Sequence, residues 1–214
     1  MKRKEHGLLF KAPMIRALKN TAEDVWPAVA VDAALPWKWQ TRRLMDPQPE
    51  IRGDFVYGLA HGAGLGFFLK EPCTVEPCPH SVGTIVFAKE TFKINPFNQC
   101  VYRANEPLNK AERVDHAFGP WKPSILMPKA AARLWFEVMD VRVERVNTIS
   151  EADANAEGCP SRMSCQTLNP ACNDYAELWD SINGKGDFAK GKWVWVYALR
   201  RISQKELARL RAQA

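Results

Sequence analysis

No apolar run in the 214-residue chain is long enough to cross a bilayer. The N-terminal stretch MKRKEHGLLFKAPMIRAL is basic, and Lys11 and Arg16 break its apolar part, so neither a signal peptide nor an anchor is readable there. A cytoplasmic protein with no membrane partner is expected, and its six cysteines should stay reduced thiols. Short CxxC knuckles are also missing. Cys73-x4-Cys78-x-His80 and Cys159-x5-Cys165-x6-Cys172 lack the spacing that structural zinc prefers, so no metal site is expected and these cysteines read as scattered through two loop insertions. The glycines of HGAGLGFF, 61–68, have no strand-and-helix frame around them. That excludes a dinucleotide fingerprint, and no cofactor is expected. Internal repeats and low-complexity segments are absent as well.

What the chain does have is an ordinary globular composition, 46% hydrophobic, and a length that fits one domain, 1–214, with insertions. Its formal net charge is +6 and its pI is near 9.0. A mild basic excess is compatible with a phosphate-bearing partner and is equally common in proteins that bind no nucleic acid. Tryptophan is abundant, with eight residues, and Trp37, Trp39, Trp121 and Trp193 each flank a Lys or Pro. Indoles stack on bases, but they also fill cores.

The pattern of residues mixes strands and helices. GLLFKA (7–12) reads as a strand, and PMIRALK (13–19) as a helix opened by Pro13. Residues 46–82, rich in Pro, Gly and Cys, read as a lengthy loop or hairpin. Strands follow at 83–92, ending near Glu90, and at 100–104; prolines confine 121–128 to an irregular or edge segment. Residues 133–146 carry the strongest strand signal, with a bulge or bend expected near Asp140 because their valines do not alternate strictly. Ser150 caps a helix that Gly158 stops, and a second helix spans 174–184. A strand at 193–202 and a charged terminal helix close the chain. Without repeated βαβ units, an α+β domain around a curved or barrel-like sheet is the expected class.

PWKWQTRR, 36–43, sets Lys38 between Trp37 and Trp39, with Thr41 three residues on and Arg42 and Arg43 beside it. One reading is an amphipathic turn; the other is a pocket for something flat and polar. Taken together with LLFKAPMIRAL, IVFAKETF, YRA, WKPSILMPKAAARLWFEVMDVRVERVNTISEADANAEG and LWDSINGKGDF…WVWVYALRR, this stretch resembles the ASCH superfamily, in particular its phage- and prophage-borne members. The blocks occur in family order and touch most of the chain, with 20–36, 46–82 and 159–173 as insertions. The resemblance implies a PUA-like small curved β-barrel flanked by helices, with a cleft for a nucleotide or modified base. One branch of the superfamily hydrolyses N4-acetylcytidine and is marked by Lys-x-x-Thr-x-Arg and a later strand glutamate. Lys38, Thr41, Arg43 and Glu90 match those positions, although the lead-in here is Pro36-Trp37-Lys38-Trp39.

What the resemblance implies is a modified-nucleoside or RNA ligand, with DNA as the other polymer, and an amidohydrolase activity. A non-enzymatic RNA- or DNA-binding module, or a phage-derived interaction protein, is the alternative. The expected catalytic residues are Lys38, Thr41 and Glu90, and the expected substrate-binding residues are Arg43, Trp37, Trp39, Tyr102 and Arg103. The chemistry suits those types. A threonine hydroxyl needs a neighbour to take its proton, and a lysine does that only if burial lowers its pKa. The flanking indoles would either supply that burial or hold the ammonium as a cation–π partner. Glu90 would orient Lys38 or protonate the departing nitrogen; Arg43 would stabilise an oxyanion or hold an anionic group. Tyr102 adds a ring for stacking.

Overall fold

The computed structural model describes residues 5–28, 30–31, 37–46, 48–52, 55–60, 63–68, 78–106, 119–159 and 169–213. It has mixed helices and strands, as the α+β expectation requires. Contacts divide the chain into two compact units: Met1–Trp37, Thr84–Glu137 and Arg200–Ala214 in one, Lys38–Gly83 and Val138–Leu199 in the other.

In the first unit, β1 (Glu5–Leu9) runs parallel to β6 (Ile85–Lys89), with Glu5 opposite Ile85. The start of β9 (Trp135–Arg145) pairs antiparallel with β6, Phe87 against Trp135. Helix α1 (Ala12–Lys19) opens one residue before the expected Pro13, which sits in the first turn where a missing N–H costs nothing, and buries Ile15, Ala17 and Leu18. The ribbon β7 (Phe92–Ile94) and β8 (Cys100–Tyr102) turns through Asn95, whose side-chain oxygen accepts from the Phe97 and Gln99 N–H groups, with Asn98 at φ 59°. Helix α4 (Gln204–Ala212) is capped by Ser203, which accepts from the Glu206 N–H. Its Leu207 and Leu210 pack with Ile85, Phe87, Trp135 and Ile202 as a core.

In the second unit, β2 (Gln40–Leu44) pairs antiparallel with β10 (Trp193–Ile202), which places Thr41 opposite Tyr197 and Arg43 opposite Trp195. Helix α2 (Glu151–Ala156) starts where expected: the Ser150 hydroxyl accepts from the Asp153 N–H, and Gly158 ends the segment at φ 84°. Helix α3 (Pro170–Asn183) begins four residues before the expected 174 and ends at Gly184, φ 111°. Val146, Ala154, Tyr175, Trp179, Val194 and Val196 share one buried cluster. Strands β3 (Glu50–Arg52), β4 (Phe55–Ala60) and β5 (Ala63–Phe68) form a separate antiparallel sheet, so the described part of the glycine-rich stretch, 63–68, is a strand paired with β4. Within the first unit the strand order is β1-β6-β9, and within the second β10 is paired with β2.

Candidate functional site

Lys38 precedes β2 in a segment pinned through its neighbour's backbone: the Trp39 N–H donates to the Ala156 carbonyl at 3.1 Å, and the Leu199 N–H donates to the Trp39 carbonyl at 2.7 Å. The Lys38 side chain is 0% exposed. Its ammonium donates to the Glu157 carbonyl at 2.9 Å and to the Glu157 carboxylate. Burial pushes the Lys38 pKa down, because a charged amine loses its hydration, while the Glu157 charge pulls the other way without restoring it. The other Glu157 oxygen accepts from Arg42 at 3.2 Å. Arg42 reaches on to Glu144 at 2.9 Å and Asp153 at 3.2 Å, and both of these also meet Arg142. Three cations thus meet three carboxylates, which is how charges are tolerated inside a fold.

Side chains alternate along a strand, so Thr41 and Arg43 leave β2 on the face opposite Arg42. That face belongs to their cross-strand partners Tyr197 and Trp195. Tyr197 is buried, its hydroxyl 3.5 Å from the Cys78 sulfur and its ring 5.4 Å from that of His80. Burial pushes the phenol and the Cys78 thiol upward, so both stay protonated at neutral pH. Arg43 is pushed down by burial, and the Glu157 charge pulls the other way. One face of β2–β10 therefore collects a hydroxyl, a guanidinium, a phenol and an imidazole. Trp39, on the same segment, is half-buried.

Trp37, Glu90, Tyr102 and Arg103 belong to the first unit. Glu90, just past β6, is buried and accepts from both Arg133 Nε and Nη2 at 2.7 Å, a two-pronged ion pair. The same guanidinium lies 4.0 Å from the Tyr102 ring centre and donates to Asn105 at 2.9 Å. The Tyr102 hydroxyl donates to the Ala131 carbonyl at 2.5 Å. Arg103 is exposed and Trp37 half-buried. Nearby in sequence, the Lys93 ammonium lies 4.5 Å from the centre of the Trp121 ring.

The sequence points to Lys38, Thr41, Arg43 and Glu90 but not to the groups that meet them: Glu157 on Lys38, Tyr197 opposite Thr41, and Arg133 on Glu90. A signal for Glu157 was present. Lys38, Gln40 and Arg42 recur every second residue, a strand face that needs acids, and Asp153 and Glu157 stand four residues apart on and just after an acid-rich helix. Among the described residues, no three His, Cys, Asp or Glu side chains stand together in a way that would hold a metal ion. Cys73 and Cys165 lie outside the described residues. Comparison with known protein families, curated proteins and solved structures finds no match for the chain.

Proposed function

We propose that the chain is an ASCH-type, PUA-like protein that binds a modified nucleoside, with N4-acetylcytidine as the ligand. The observation that carries the reading is the β2–β10 face on which Thr41 and Arg43 lie beside Tyr197 and Trp195. A cytosine edge offers acceptors for a hydroxyl and a guanidinium, and a base offers a flat surface to rings. A phenol that stays protonated serves as a donor to the acetyl oxygen. The PUA-like reading of the fold belongs to the same proposal and rests on the order of the elements and on the α+β architecture.

The experiment is calorimetric titration with free N4-acetylcytidine at low and high salt. A pocket for the nucleoside gives saturable binding that changes little with salt, and Thr41→Val weakens it. Binding only of RNA, with affinity falling steeply as salt rises, marks a phosphate-tracking module and overturns the pocket.

Hydrolysis of the acetyl amide is a second reading, favoured by one observation: a wholly buried lysine with a lowered pKa three residues from a threonine. In that reaction the neutral amine takes the Thr41 proton, the oxygen attacks the acetyl carbon, and cytidine leaves with a proton. Water then releases acetate from the ester. The Lys38 amine lies on the Arg42 side against Glu157 and the Thr41 hydroxyl on the opposite face of β2, so the reaction requires the amine to leave Glu157 and reach the other face. Release of cytidine above background, lost in Lys38→Met, supports it; no release from folded protein leaves the binding function alone.

A further inference from the structure

Outside these groups, the first unit carries a cavity of about 390 Å³ whose wall includes Lys129, Trp135, Gln204 and Arg211. That is within the size range of small-ligand sites, roughly 300–1,000 Å³. Alanines 130 and 132 and the Trp135 indole give it an apolar part, while the two cations and the Gln204 amide supply its polar groups. The Arg211 guanidinium lies 4.9 Å from the centre of the Trp135 ring, within cation–π range. Its fork already grips a carboxylate: Nε and Nη2 meet the two oxygens of Glu5 at 2.7 and 3.1 Å. Lys129 donates to the same carboxylate. Two cations thus converge on one acid, leaving an excess of one positive charge. Both cations are about half exposed, Lys129 at 52% and Arg211 at 46%, so solvent and solutes can reach them.

We propose that this cavity binds a small organic carboxylate, whose carboxyl group takes the place of Glu5 on Arg211 and Lys129 while its apolar body lies against Trp135. Glu5 displays the geometry that the ligand's own carboxylate adopts, since a planar fork recognises any carboxylate the same way. Arg211 and Lys129 both hold the Glu5 carboxyl below its ordinary range, so the competitor stays ionised at neutral pH. The wild-type site is therefore self-occupied, and its affinity is set by the exchange of one carboxylate for another.

The test is calorimetric titration of the full chain with benzoate, with benzamide as the neutral isostere. Benzoate is expected to saturate the site, and Glu5→Gln to bind it about tenfold more tightly, because a charged hydrogen-bonding partner no longer has to be displaced. Arg211→Ala is expected to abolish binding, and Arg211→Lys, which keeps the charge but loses the fork, to weaken it severalfold; circular dichroism establishes that each variant is folded. Equal binding of benzamide, unchanged affinity in Glu5→Gln, saturation that survives Arg211→Ala, or no saturation in wild type and Glu5→Gln alike overturns the proposal.

Discussion

Lys38 and Glu157 form the tightest constraint at the level of single residues, and it is one that only works as a pair. Removing one partner of a buried ion pair leaves a charge without compensation, at a cost of about 3–5 kcal/mol. Arg42 still contacts Glu157, so Lys38→Met is expected at the low end, about 3 kcal/mol, read from urea unfolding. The double variant Lys38→Met with Glu157→Gln is expected to be more stable than the sum of the single losses requires; strict additivity would mean that the two side chains are not coupled. The sequence marked Lys38 because of its indole neighbours, yet the group that holds its ammonium is Glu157, 119 residues away. Such a partner is set by which helix packs on which strand, and spacing within a motif carries no information about that. Glu90 repeats the lesson: the sequence points to it as a catalytic acid, while Arg133, the two-pronged partner that holds it in the structure, reads only as the start of a strand.

Elements were legible where their signals are local. Ser150 and Gly158 bracket α2 because a hydroxyl can satisfy an orphan N–H and only glycine adopts φ 84° without strain. Ser150→Ala is accordingly expected to cost about 1 kcal/mol in thermal or urea unfolding, and an unchanged midpoint would deny the cap any role. The strand β10 was read at its full extent, 193–202, from period-two aromatics. Strand β2 was not read as a strand at all. Gln40, Thr41 and Arg42 are all buried, so the strand has no apolar-polar alternation to betray it, and the acids that hold Arg42 lie more than a hundred residues on in sequence. Helix α3 starts four residues ahead of its sequence signal because Pro170 fits the first turn, while Asn169 before it, at φ 61°, makes no side-chain capping bond. In α4, Glu206 is bonded to Arg209 and Arg200, and its pKa is held at about 2 against an ordinary 4.5. A depressed carboxyl contributes its stabilisation in full above the ordinary value and loses it as pH falls through the folded one. A carbon NMR titration of Glu206 is expected to show a midpoint at about 2; a midpoint near 4.5 would contradict the Arg209 contact.

For the molecule as a whole, the same sign holds for several acids at once. Glu5, Asp153 and Asp187 are also depressed. Hydrogen bonds from Arg211 and Lys192 dominate at Glu5 and Asp187, and at Asp153 the charges of Arg142 and Arg42 outweigh the upward push of burial. Their stabilisation is complete above the ordinary carboxylate range and disappears below it, so the thermal midpoint is expected to hold steady toward pH 5 and to drop below about pH 4. A flat profile down to pH 2 would mean that these ion pairs do not contribute. The net charge of +6 gives a further contrast, because binding that depends on phosphates falls with salt and binding of a neutral nucleoside does not. The most direct measurement is therefore calorimetric titration of the folded chain with free N4-acetylcytidine at two salt concentrations, beside the Thr41→Val variant. The expected result is saturable, nearly salt-independent binding that Thr41→Val weakens about tenfold, the scale of one lost hydrogen bond in a buried site. Absence of saturation in the wild-type chain, or identical affinity in Thr41→Val, would contradict a nucleoside site on the Thr41–Arg43 face.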